Sequence, residues 1–64
     1  MKLKELPKDK SLEGVAFLHP ETGERCIWRS QWQKGVWFKK SPESKQVFPL
    51  FLEKLEDALE FEVA

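Results

Sequence analysis

Two tight-turn signals divide the stretch Gly14–Lys40 into three short runs, and that division constrains the fold more than any other feature of the chain. Pro20-Glu21-Thr22-Gly23 has the chemistry of a four-residue hairpin loop. Proline pre-sets φ at the first turn position, and glycine accepts the left-handed conformation at the last. Gln33-Lys34-Gly35 supplies the second turn. The flanking runs are predicted as antiparallel strands over about 14–19, 24–32 and 36–40, and they hold all three tryptophans. With His19 and Glu24 closing the first loop, Phe17 faces Cys26 and Val15 faces Trp28.

The second turn admits two registers, and the apolar pattern chooses between them. A two-residue Lys34-Gly35 loop puts Val36 and Phe38 on the face opposite Cys26 and Trp28. A three-residue loop, with Gly35 as a left-handed bulge residue, puts them on the same face. The second arrangement gathers Val15, Phe17, Cys26, Trp28, Trp32, Val36 and Phe38 on one side, with Ser30 as the one polar member. It is the register expected.

Beyond the third strand, residues 39–46 form a polar linker with a Ser41-Pro42 break. Val47 and Phe48 can briefly extend the sheet. Pro49 suits a first helical position, and Leu52, Leu55 and Leu59 recur at i, i+3 and i+7, with Phe51 and Ala58 widening the stripe. The spacing predicts a helix over about 49–60, packed on the Trp28/Trp32 face. Leu59, Phe61 and Val63 also alternate as a short final strand would. Residues 1–13 lack periodicity, and Pro7 interrupts any local helix. They are expected to form a flexible or loosely docked arm, with Leu3 or Leu6 resting on the core. The predicted architecture is α+β, a three-stranded meander with one C-terminal helix, and residues 14–64 make one domain.

Sixty-four residues suffice for a single domain with a small core. Cys26 is the one cysteine, so the chain cannot close a disulfide on itself. Cys26 and His19 alone are too few to hold zinc, and no metal or cofactor is expected. No apolar run approaches the ~18 residues needed to cross a bilayer, and the basic start leads into no signal-peptide core. A cytoplasmic protein is the expectation.

Net charge is zero but unevenly spread. Residues 1–45 carry ten Lys and Arg against six acids, whereas residues 46–64 carry Lys54 against five acids. A basic sheet and an acidic C-terminal segment follow.

The chosen register gives the other face of the sheet an unusual composition for a solvated surface. It carries Ala16, Leu18, Arg25, Ile27, Arg29, Gln31, Trp37 and Lys39, mixing large apolar groups with cations. Aromatic and arginine side chains exposed together are typical of binding hot spots, and they also suit phosphate contact with base stacking. Leu18, Arg25, Ile27, Arg29, Gln31, Trp37 and Lys39 are therefore the candidate partner-binding residues, centred on Trp37 and Arg29. A dedicated DNA-binding domain usually has a pI above about 9. Here it is about 6.6, which ranks a protein partner ahead of nucleic acid.

Catalysis is not expected. Gly14, Gly23 and Gly35 are isolated, so no phosphate-cradling loop is present. Cys26 reads as a buried small hydrophobe, and His19 borders a turn without an acidic or serine partner. No motif matches a known family residue by residue. The Ser-x-Trp-Pro signature of the small companion proteins of peptide synthetases is missing, since Arg29 follows Trp28 and Gln33 follows Trp32. The sequence thus points to a small non-enzymatic binding module, a protein-interaction adaptor or regulator, with DNA or RNA binding through the same face and the lysine-bearing N-terminal arm as the alternative.

Overall fold

The computed structural model describes residues 1–64. Its centre is an antiparallel meander of four strands: β1 (Ala16–Leu18), β2 (Arg25–Trp32), β3 (Gly35–Lys39) and β4 (Phe48–Phe51), hydrogen-bonded in that order. The first hairpin follows its turn chemistry. His19 and Glu24 close the loop through a 2.8 Å backbone bond, Gly23 has φ +74°, and Phe17 pairs with Cys26.

No α-helix forms, which corrects the expected helix over 49–60. Pro49 lies in β4 opposite Trp37, with Leu50 facing inward and Phe51 outward. β4 is an edge strand, where proline's missing N–H is tolerated. Residues Leu55–Glu60 make a 3-10 turn instead. Packing selects it: Leu52, Leu55, Ala58 and Phe61 recur every third residue, the period of a 3-10 turn, and all four lie in or against the core. Ala58 and Phe61 are buried, whereas Leu59, which suggested the helical stripe, is exposed. The Asp57 carboxylate accepts the Lys54 N–H at 3.2 Å and caps the turn.

The two ends of the chain meet beside β1. Val63 bridges Phe17, and Glu62 bridges Lys2, each antiparallel. Leu18 N–H donates to the Glu62 carbonyl and Leu3 N–H to the Phe61 carbonyl, both at 2.9 Å. Leu3, in a 3-10 turn over Leu3–Glu5, is buried in the core, and Leu6 and Leu12 pack against it.

Phe17 is the pivot of that core and is fully buried. Its ring stacks on Phe61 at 5.7 Å and meets Trp28 at 5.9 Å and Phe38 at 6.3 Å edge-on. Cys26, Val36, Leu50 and Ala58 complete the cluster. Burying side chains of this size stabilises the fold by roughly 1.5–3 kcal/mol each, before chain entropy offsets most of the sum.

A β-bulge in β2 decides which residues join the core. Trp28 pairs with Phe38, but the next pair is Ser30 with Trp37, so Arg29 is an extra residue on β2. Such an insertion shifts every later side chain to the other face. The loop is then the two-residue Gln33-Lys34, closed by Trp32 opposite Gly35. Gln33, and not Gly35, takes the left-handed backbone, with φ +48°. Val36 and Phe38 do share the core face with Cys26 and Trp28, as expected. Trp32 does not. It stands on the outer face, 41% exposed.

Candidate functional site

The outward positions of the four strands are Ala16 and Leu18, then Arg25, Ile27, Ser30 and Trp32, then Gly35, Trp37 and Lys39, then Pro49 and Phe51. None of them is acidic, and no acid occurs anywhere in the four strands.

Three aromatic rings gather at one end of this face. Trp32 lies 5.7 Å from Trp37, tilted by 36°, and 6.3 Å from Phe51, edge-on. They come from β2, β3 and β4 and surround Gly35, which pairs with both Trp32 and Phe51. The glycine explains how the rings meet. A Cβ at position 35 would lie 3.1 Å from the Leu50 carbonyl oxygen and 3.5 Å from the Trp32 ring. Without that Cβ, the Trp32 indole settles over the β3 backbone. Phe51 is 71% exposed, so the cluster opens to solvent.

Beside the rings lies a hollow lined by Arg29, Ser30, Trp37, Lys39, Lys45 and Val47. Lys39 and Lys45 make no ion pair, whereas Arg29 donates to the Glu13 carboxylate at 2.8 Å. Between residues 25 and 45 there are six cations and one acid, Glu43. Acids of the C-terminal segment surround the 3-10 turn, whose Ala58 packs on the opposite, core face. There Glu60 holds both Lys2, at 2.9 Å, and Lys4, at 3.1 Å. Neutral net charge therefore conceals a strong separation of sign.

The seven residues singled out from sequence do not form one patch. Trp37 and Lys39 sit on the outer face beside the hollow. Leu18 and Arg25 pair with each other at the far end of the same face. Ile27 faces outward but is only 7% exposed, and it lies beside Lys39 and Pro42. Arg29 is the bulge residue. Gln31 falls past the bulge, opposite Val36, and lines a groove on the other side with Trp28 and Leu59. The sequence reading missed Trp32, Phe51 and Lys45. The signals for the first two were the small residue at 35 and the alternation Leu50-Phe51-Leu52 after an edge-strand proline.

The largest hollow, about 810 Å³, lies elsewhere, between the N-terminal segment and β2, over Leu3, Leu6, Leu12 and Trp28. Two of its cations, Lys4 and Arg29, are already held by Glu60 and Glu13. It also carries the unpaired Lys8 and Lys10 but lacks the exposed rings of the outer face.

Cys26 and His19 are both engaged by the fold. Burial pushes the Cys26 thiol pKa up, Glu24 adds to the rise and Lys40 opposes it. Its Sγ donates to the Glu24 carbonyl at 3.6 Å. His19 is committed to the first hairpin, where Nδ1 accepts the Glu21 N–H at 3.1 Å and the ring meets Phe38 edge-on. No three His, Cys, Asp or Glu side chains converge as metal ligands, and no helix is long and apolar enough to cross a membrane. No protein-family model matches the chain, and comparison with curated proteins and with solved structures finds no significant match.

Proposed function

We propose that this protein is a small non-enzymatic binding module whose working surface is the outer face of the sheet, centred on Trp32, Trp37 and Phe51. The observation that carries this reading is the exposed cluster of three rings on adjacent strands, with the uncompensated lysines Lys39 and Lys45 at its side. An aromatic platform of this kind costs solubility unless something covers it, and aromatic side chains dominate binding energy where they are used. A rigid sheet also presents them with little conformational entropy left to lose. The buried, protonated Cys26 and the turn-bound His19 support a non-catalytic role.

Sequence alone ranks a protein adaptor ahead of a nucleic-acid module, on the balanced charge of the whole chain. The acid-free strands weaken that ranking, because a partner meets the local field and not the total. Capture from host lysate tests the choice of face. Wild-type protein should retain a partner that a Trp32→Ala/Phe51→Ala variant loses while keeping its fold. Undiminished capture by the variant would move the working surface to the groove between the N-terminal segment and β2.

A further inference from the structure

We infer that the occupant of the outer face is single-stranded nucleic acid, bound by base stacking on Trp32, Trp37 and Phe51 with its phosphates on Lys39 and Lys45. The inference rests on the proposed working face and adds the chemistry of its partner. Three features favour this occupant. Trp32 and Phe51 are exposed and Trp37 is half-buried beside them, all held by neighbouring strands, so a base can stack there without reordering the fold. Aromatic stacking of this kind tolerates any base, since every base has a π-face.

The cations lie to one side of the rings and not among them, as a strand with bases on one edge and phosphates on the other requires. Lys39 and Lys45 hold no protein anion, so a phosphate need displace none. Finally, the four strands carry no acid that would repel a phosphate, while Glu56 of the 3-10 turn lies on the core side with Trp28 and Ala58, and Glu60 is held by Lys2 and Lys4. Duplex is disfavoured, because its bases are already stacked and their faces are closed to the tryptophans.

The test is titration of the intact protein with short oligothymidylate and oligouridylate and with a duplex of equal length, read by tryptophan fluorescence and by anisotropy. Quenching by both single strands is expected, because the Trp32 indole is exposed and Trp37 lies against it. The logarithm of affinity should fall with that of salt at a slope of about −1.4, for two cations at roughly 0.7 each. Trp32→Ala/Phe51→Ala should weaken binding by about tenfold or more. Lys39→Gln/Lys45→Gln should flatten the slope by about 1.4 and provides the readout if the aromatic variant fails to fold.

Absence of oligonucleotide binding, with a protein still captured from nuclease-treated lysate by wild type and lost by the aromatic variant, would overturn this inference while sparing the working face. Oligonucleotide binding that both variants leave unchanged would overturn the inference and the face together. Equal or tighter binding of duplex would overturn the stacking mode.

Discussion

Trp28 and Trp32 belong to one strand, yet Trp28 is 4% exposed among core rings while Trp32 stands in solvent. Identical side chains reach opposite fates because one residue, Arg29, is inserted between them. The core face is closed by material from both ends of the chain: Leu3 from the first turn, Ala58 and Phe61 from the last. Nothing in the chain crosses the Trp32/Trp37/Phe51 end of the outer face. Both faces carry tryptophan and phenylalanine, so an aromatic side chain does not by itself tell inside from outside. What separates them is register, and register here is set by a bulge.

The largest effect should come from the core side. Phe17→Ala and Trp28→Ala should each cost about 3–5 kcal/mol, which for so small a domain threatens folding outright. Chemical denaturation of each variant measures this. On the outer face, Trp32→Ala should cost under about 1 kcal/mol, as surface substitutions usually do. Equal losses for Trp28→Ala and Trp32→Ala would erase the distinction between the faces.

Between these extremes lies Gly35. Replacing it by valine places carbon against the Leu50 carbonyl and beneath the Trp32 indole, a clash that should cost about 1–3 kcal/mol. The same change should expose Trp32 further, seen as a red shift in its emission. A valine tolerated without either change would mean that the ring does not rest on the strand.

Deleting Arg29 sharpens the comparison further. Without the extra residue, Trp28 and Ser30 become successive members of a regular ladder, and both tryptophans keep their present faces. The deletion should therefore cost far less than Trp28→Ala. A collapse as severe as that of Trp28→Ala would favour uninterrupted alternation, with both indoles inside.

The smallest effect concerns the ion pairs that fasten the two ends. Hydrogen bonding to Lys2 and Lys4 lowers the Glu60 pKa, and the same contact raises that of Lys2. The sign follows for each group. The Glu60 contribution is present above the ordinary carboxylate range and fades as pH falls through its lowered folded value. The Lys2 contribution is present below the ordinary lysine range and fades as pH rises through its raised folded value. Both groups are exposed, so Glu60→Gln should shift stability only slightly, and less in high salt.

Much of the first hairpin was legible in the sequence, because Pro20 and Gly23 fix a loop length and loop length fixes the pairing of Phe17 with Cys26. The second hairpin was legible only as to its inner face. A bulge at Arg29 leaves no compositional trace, and counting alternation straight through it sends Trp32 to the wrong side. The C-terminal segment misled for a different reason. Leu52, Leu55 and Leu59 match a helical stripe, but Leu52, Leu55, Ala58 and Phe61 match a period of three equally well, and only packing decides between them. Trp37 and Lys39 were found from sequence because they follow the turn by simple alternation. Phe51 was hidden because Pro49 was read as the start of a helix.

The stacking of Phe61 on Phe17 has a consequence for the order of events during synthesis. Phe17 leaves the ribosome well before its stacking partner and Ala58, which lie far along the chain from it. Leu3, made before Phe17, is fastened to the Phe61 carbonyl and must wait as well. A nascent chain halted in the linker after β3 would hold Phe17 and Trp28 with no lid over them. Contacts this distant along the chain are slow to form. Closure of the core therefore waits for Ala58 and Phe61, which settle over strands made before them.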